Sequence, residues 1–267
     1  MSRYIKTILC VFLLGVIAVA VPKHSSISTY VGKFTAKNTI VIDAGHGGMD
    51  GGASSRSGIL EKDINLAIAF EVKRLAEADG WRVVMTRNED KLLGNGAGSI
   101  RSKKTQDLKG RKEIIDKERP FICVSIHLNS FREDSSVRGA QVFYPKGPGD
   151  ESILENSKIL AEAIQSELES GIDDGKERTA LSKNGVRILN APKATTVIVE
   201  CGFLSNKNEA ENLSDSEYQL KLAVLIYNGI MKYASGASDG SVELIDNANS
   251  ISKVKISSEK SVDNYSL

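Results

Sequence analysis

The chain has 267 residues, 41% of them hydrophobic and 26% charged, enough to bury the core of one globular domain with some length to spare. Its 35 basic and 34 acidic side chains leave a formal net charge of +1, so no broad field gathers nucleic acid, and nucleic-acid binding is disfavoured. Three cysteines are too few for a disulfide framework.

In chain order, Arg3 and Lys6 precede the apolar run "TILCVFLLGVIAVAV", which stops at Pro22 and carries the small-residue site Ala18-Val19-Ala20. Residues 1–22 therefore read as a signal peptide or, if uncleaved, an N-terminal membrane anchor; the run falls short of the roughly 20 apolar residues of a comfortable span. Either way the expectation is an exported, extracytoplasmic protein. Leu9 before Cys10 argues against a lipid attachment site. Residues 23–37, rich in Ser, Thr, Lys and Gly, form a spacer, and the folded core spans 38–235.

That core opens with the β-branched run "NTIVIDAGH". Next, "DINLAIAFEVKRLAEADG" places Ile64, Ile68, Val72 and Leu75 at helical spacing, with Asp63 as N-cap and Gly80 as stop. "WRVVMTR" follows as a strand, which makes a right-handed parallel crossover and points to an α/β sheet. Residues 88–110 are polar and glycine-bearing, a lid or rim before a short helix from Gly110 to Lys117. "FICVSIH" and "AQVFYP" are further strands. "SILENSKILAEAIQSELES" is a second amphipathic helix. "GVRIL" and "TTVIVEC" complete about six strands, and "YQLKLAVLIYNGIMKYA" closes the fold as a helix ended by Gly236. Residues 236–267 are a polar, flexible tail.

Three strand-like runs end on groups capable of chemistry: His46, His127 and Glu200. Ligands of open α/β sheets bind outside the carboxyl ends of the strands, so the three groups can converge from remote segments. Two neutral imidazoles suit zinc, whose catalytic sites usually take three protein ligands and keep a fourth position open. For the third ligand Glu61 competes with Asp43, Asp50 and Asp63. Glu61 equally suits a helix N-terminus, and Asp43 could instead orient a histidine. The glycines of "GHGGMDGGAS" allow positive φ and close backbone approach. Without a Gly-Lys-Ser/Thr ending or Gly-x-Gly-x-x-Gly spacing, a phosphate loop is the weaker reading. Glu200 reads either as a general base for activated water or as a buried glutamate salt-bridged to Arg187.

In order, "VIDAGHGGMDGGA", "GILEKDINLAIAFEVKRL", "VVMTR", "VSIHLNS" and "VIVECGFLSN" resemble the zinc-dependent N-acetylmuramoyl-L-alanine amidases over roughly Thr39 to Tyr233. The resemblance implies a phosphorylase/hydrolase-like α/β fold: a mixed, mostly parallel central sheet of about six strands flanked by helices on both faces. It further implies one Zn2+ per chain on His46, Glu61 and His127, with Glu200 catalytic and 38–235 as the amidase domain. The substrate so implied is peptidoglycan, cut between the lactyl group of muramic acid and L-alanine. The short architecture is most similar to the sporulation amidases, which prepare spore cortex for muramic-δ-lactam formation. Partners on this reading are peptidoglycan, the membrane if the N-terminal segment is retained, and an unidentified accessory protein. Asn129 and Ser130, just past His127, either line the substrate cleft or cap their own loop. Leu128 and Cys201 depart from the commoner family wording and leave every ligand in place. Two alternatives stand beside this reading: a thiol hydrolase pairing Cys201 with a histidine, and a non-catalytic, membrane-tethered muropeptide-binding module.

Overall fold

The computed structural model describes residues 39–94, 96–172 and 177–239; the N-terminal segment, the spacer and the tail from 240 lie outside the described residues. Six strands, β1 (Thr39–Ala44), β2 (Arg82–Met85), β3 (Ile122–Asn129), β4 (Gln141–Pro145), β5 (Leu181–Lys183) and β6 (Thr195–Phe203), form one sheet in the order β2-β1-β3-β6-β4-β5. Every pairing is parallel except β4 against β6, so the sheet is mixed and mostly parallel. Five helices accompany it: α1 (Glu61–Ala78), α2 (Ile100–Glu118), α3 (Glu151–Gly171), α4 (Lys207–Leu213) and α5 (Ser216–Asp239).

Strand alternation divides the sheet. Ile40, Ile42 and Ala44 of β1, Ile122, Val124 and Ile126 of β3, and Val197, Val199 and Cys201 of β6 enter one large apolar core. There they meet Ile64, Ile68 and Val72 of α1, Leu160, Ile164 and Leu168 of α3, and Leu222, Ile226 and Ile230 of α5. The intervening residues face α2, where the apolar cluster is small: Val41, Cys123 and Ile115, with Val84 and Ile188 against them. His127 and Glu200 are register partners on β3 and β6 and project from this second face.

Several expectations shift. α1 begins at Glu61 rather than after Asp63, and Leu60 caps it without a side-chain bond. The orphan amides of its first turn are met instead by the glycine turn, Glu61 N bonding Ala53 O at 3.0 Å and Lys62 N bonding Gly51 O at 3.2 Å. Glu61 is thereby spared for other work. α2 is a full helix from Ile100, capped by Ser99, where the sequence suggested only a short one from Gly110. "GVRIL" is not a strand: Arg187–Leu189 is a 3-10 turn, and the edge strand lies earlier, at Leu181–Lys183. α5 runs past Gly236 to Asp239. Stretch 88–94 is a pinned rim, since Asp90 accepts from Gly48 N at 2.6 Å and from Lys62 Nζ at 2.6 Å, and Asp107 accepts from Leu93 N at 2.7 Å. Among the described residues no helix is long and apolar enough to cross a membrane.

Candidate metal centre

β1 leaves the sheet through Gly45 and turns at His46, a non-glycine residue with φ of 61°. That left-handed backbone brings the ring back over the sheet end rather than onward along the strand. A Cβ on Gly45 would lie 2.3 Å from the His127 ring, and one on Gly52 would lie 2.5 Å from Glu61 Oε2 and 2.8 Å from His46 Cδ2. The two glycines are therefore the spaces into which the other side chains fit.

His46, Glu61 and His127 each offer a ligand atom here, all within 4.8 Å of one another. Glu61 Oε1 lies 3.2 Å from His46 Nε2 and 3.1 Å from His127 Nδ1. Two ligands that each sit about 2 Å from one ion are at most about 4 Å apart, so the two separations from Glu61 fit a shared cation, and a His2Glu donor set is one that zinc takes in hydrolases. Glu61 is itself fixed: Oε1 also accepts from Leu128 N at 3.0 Å, and Oε2 accepts from Ala53 N at 2.7 Å. Of the competing acids, Asp43 lies deeper, accepting from Thr86 Oγ1, Ser125 Oγ and Arg111 Nη1, at 2.6, 2.6 and 2.8 Å. Asp50 holds the other ring nitrogen of His46, with Oδ2 3.0 Å from Nδ1.

The electrostatics follow from these contacts. Burial works against a charged His46 ring, but hydrogen bonds to Asp50 and Glu61 outweigh it and lift its pKa to about 9. A metal thus competes with a proton for Nε2. Burial likewise opposes the Glu61 carboxylate, yet His127 and His46 hold it well below the usual range. For Asp43, desolvation is overcome by Arg111, Ser125 and Thr86, and its pKa falls to about 2. Glu200 goes the other way: burial raises it, against the pull of His127 and Lys183.

Glu200 lies beside His127 in register. Its ion-pair partner is Lys183, with Nζ 3.8 Å from Oε1, not the Arg187 of the alternative salt-bridged reading. Lys183 is in turn seated 4.2 Å over the Phe143 ring. Glu200 Oε2 is buried with no hydrogen-bond partner among the described residues. An orphaned carboxylate oxygen at the sheet end, next to a His/Glu/His cluster, is what a site built around a further ligand looks like. Asn129 and Ser130 are tied to each other and to the end of β6: Asn129 Oδ1 accepts from Ser130 N at 2.8 Å, and Asn129 O from Leu204 N at 2.9 Å. Cys201 points into the apolar core, away from the face that carries His127 and Glu200, and burial pushes its thiol pKa far up. It has no path to either histidine, which removes the thiol-hydrolase alternative.

Sequence reasoning did not single out Arg87, Arg111, Lys104 or Lys183. Arg87 and Arg111 are buried and direct five hydrogen bonds at the carbonyls of Ala44, Gly45 and His46 and the carboxylate of Asp43. A signal for Arg111 did exist: Asp107, Arg111 and Ile115 recur every fourth residue and are the buried residues of α2.

Compared with known proteins, residues 40–232 match the family described as N-acetylmuramoyl-L-alanine amidase. A germination-specific N-acetylmuramoyl-L-alanine amidase of Bacillus subtilis is 35% identical, over 75% of this chain and 81% of its own. Among solved structures, the CwlD amidase of Clostridioides difficile, in complex with the GerS lipoprotein, is 42% identical, with a TM-score of 0.69 over 74% of this chain and 98% of that one. The amidase AmiC2 of Nostoc punctiforme is 30% identical, with a TM-score of 0.63 over 74% and 98%.

Proposed function

Since this chain belongs to the N-acetylmuramoyl-L-alanine amidase family and is a peptidoglycan hydrolase of the cell wall, we propose that His46, Glu61 and His127 hold one Zn2+ and that Glu200 moves the protons of the reaction. The observation that carries this reading is the meeting of three ligand atoms from β1, α1 and β3 within 4.8 Å, beside a buried carboxylate oxygen that has no hydrogen-bond partner among the described residues.

Zinc, when bound, supplies Lewis acidity: it polarises the scissile carbonyl and lowers the pKa of water. The chain's own residues do the rest. Lys183 occupies the Oε1 side of Glu200, which leaves Oε2 as the lobe that accepts a proton from the attacking water. Glu200 then passes that proton to the nitrogen of L-alanine as the amide C–N bond breaks, so water is divided between a lactyl carboxylic acid and a free amine. Burial, which raises the pKa of Glu200, suits a group that must both take and return a proton. His46 and His127 both reach Glu61 Oε1, their rings 5.0 Å apart and at 76°. Asn129 and Ser130, which follow His127 at the end of β3, contact the stem peptide.

The similarity to a germination-specific amidase and to CwlD supports a role in spore cortex, in preparing glycan for muramic-δ-lactam formation. The complex of the C. difficile relative with a lipoprotein supports an accessory partner for this chain also. Residues 1–22 export the chain and, if retained, tether residues 38–235 to the membrane through the spacer.

Mass spectrometry of muropeptides incubated with zinc-loaded protein tests the reaction. Release of free stem peptide is expected, abolished by chelation and restored by zinc. Binding of muropeptide without release would favour the non-catalytic module.

A further inference from the structure

His46 is held from two directions, and both lead to one helix. Its main chain has a φ of 61°, and the carbonyls of Ala44, Gly45 and His46 are gathered onto buried guanidinium groups. Arg111 of α2 donates from Nη2 to His46 O and from Nη1 to Ala44 O at 2.6 Å, while its Nε is anchored on Asp107 at 2.7 Å. Arg87, two residues past β2, completes the cradle, donating to Ala44 O at 2.8 Å and Gly45 O at 3.0 Å. The imidazole is held separately. Asp50 Oδ2 engages Nδ1 at 3.0 Å, and Asp50 Oδ1 is 2.7 Å from Nζ of Lys104. Lys104 and Arg111 are seven residues apart on α2, two turns along one face.

We propose that α2 is the frame that sets His46 in its ligand pose, Arg111 acting on its main chain and Lys104, through Asp50, acting on its ring. With Nδ1–H donated to Asp50, the neutral ring carries its lone pair on Nε2, the atom that faces Glu61. A guanidinium suits the other task because its planar fork reaches His46 O, Ala44 O and Asp43 together, which a lysine ammonium at the same place does not. This explains why α2 buries charged groups along a stripe where helices of this size usually bury aliphatic ones. Asp50, Arg111 and Lys104 are positioning residues: none is itself a ligand.

The inference rests on the assignment of His46 as a metal ligand, and one set of measurements separates the two. Zinc affinity of the full-length chain is measured by chelator competition, together with the visible d–d spectrum of the Co2+-substituted protein and the thermal midpoint. Asp50→Asn and Arg111→Lys are each expected to weaken zinc binding about 10–100-fold and to alter the cobalt spectrum. Lys104→Met, at the solvent end of the chain of contacts, should weaken it roughly two- to five-fold with an unchanged thermal midpoint. Lys109→Met, the same charge change on α2 where the ion pair leads only to Glu113, should leave affinity and spectrum as they were. If Asp50→Asn and Lys104→Met bind zinc like the parent, the frame is wrong, whether or not Arg111→Lys folds. If both His46→Ala and the parent bind zinc equally, the ligand assignment itself fails.

Discussion

The two faces of the sheet are made from the same strands and solve opposite problems. Toward α1, α3 and α5, β1, β3 and β6 contribute Ile, Val, Ala and Cys side chains to a continuous apolar core. Toward α2, the alternate residues include Asp43, Ser125, His127 and Glu200, and the helix answers with Asp107 and Arg111. The first face is stabilised by area removed from water. The second removes charges from water, which is unfavourable unless each finds partners, and Asp43 and Arg111 have them in full. Stability is concentrated on one side and preorganised polarity on the other. The site emerges where the strands of the polar side end.

This contrast can be broken from either side. The largest effect belongs to the polar face: Glu200→Ala should lower turnover of muropeptide about 10²–10⁴-fold. Zinc content by elemental analysis and the thermal midpoint should be almost unchanged; a parallel loss of zinc would merge the roles assigned to Glu200 and the ligands. Next comes the apolar face, where Leu160→Ala, fully buried on α3, should cost about 3 kcal/mol in denaturant unfolding. Zinc affinity of the folded fraction should not move.

Acid sharpens the comparison further. Asp43 has its pKa depressed to about 2 from 3.8. A depressed carboxylate contributes stability that is present above its unfolded pKa and lost as pH falls through the folded one, so about 2 kcal/mol should disappear between pH 4 and pH 2. Urea unfolding of zinc-free protein across that window measures it, and Asp43→Asn should reduce the dependence by that share, leaving the part due to the depressed Glu61 and Asp50 carboxylates. The smallest effect is Cys201→Ser, which buries a hydroxyl in the apolar core. A cost of about 1 kcal/mol with turnover retained is expected. Loss of turnover in a folded Cys201→Ser protein would restore the thiol reading.

The same division decides what could be read in advance. β1, β3 and β6 were legible because each is an apolar run ending on a chemical group, and α1, α3 and α5 because their buried stripes are aliphatic. Most of α2 was not. Its buried residues Asp107 and Arg111 are charged, so a search for apolar periodicity sees a polar loop until Ile115. β5 is three residues, two of them exposed, and carries no alternation. "GVRIL" looked like a strand by composition, but among its residues only Leu189 is buried, and a single 3-10 turn is enough to bury it. In the site, the ends of strands announced His46, His127 and Glu200. The choice of Lys183 over Arg187 and of Asp50 over Asp43 beside His46 depended on long-range packing, which no local spacing encodes.

The seat of the His127 ring against Gly45 has a temporal consequence. The turn carrying His46 is a mould whose filling arrives from β3, after α1, β2 and α2 have all been made. A polypeptide synthesised only as far as β2 owns His46 and Glu61 but lacks the His127 ring that lies against Gly45. On the proposed metal reading, the seat for the ion is complete only once β1 and β3 have paired.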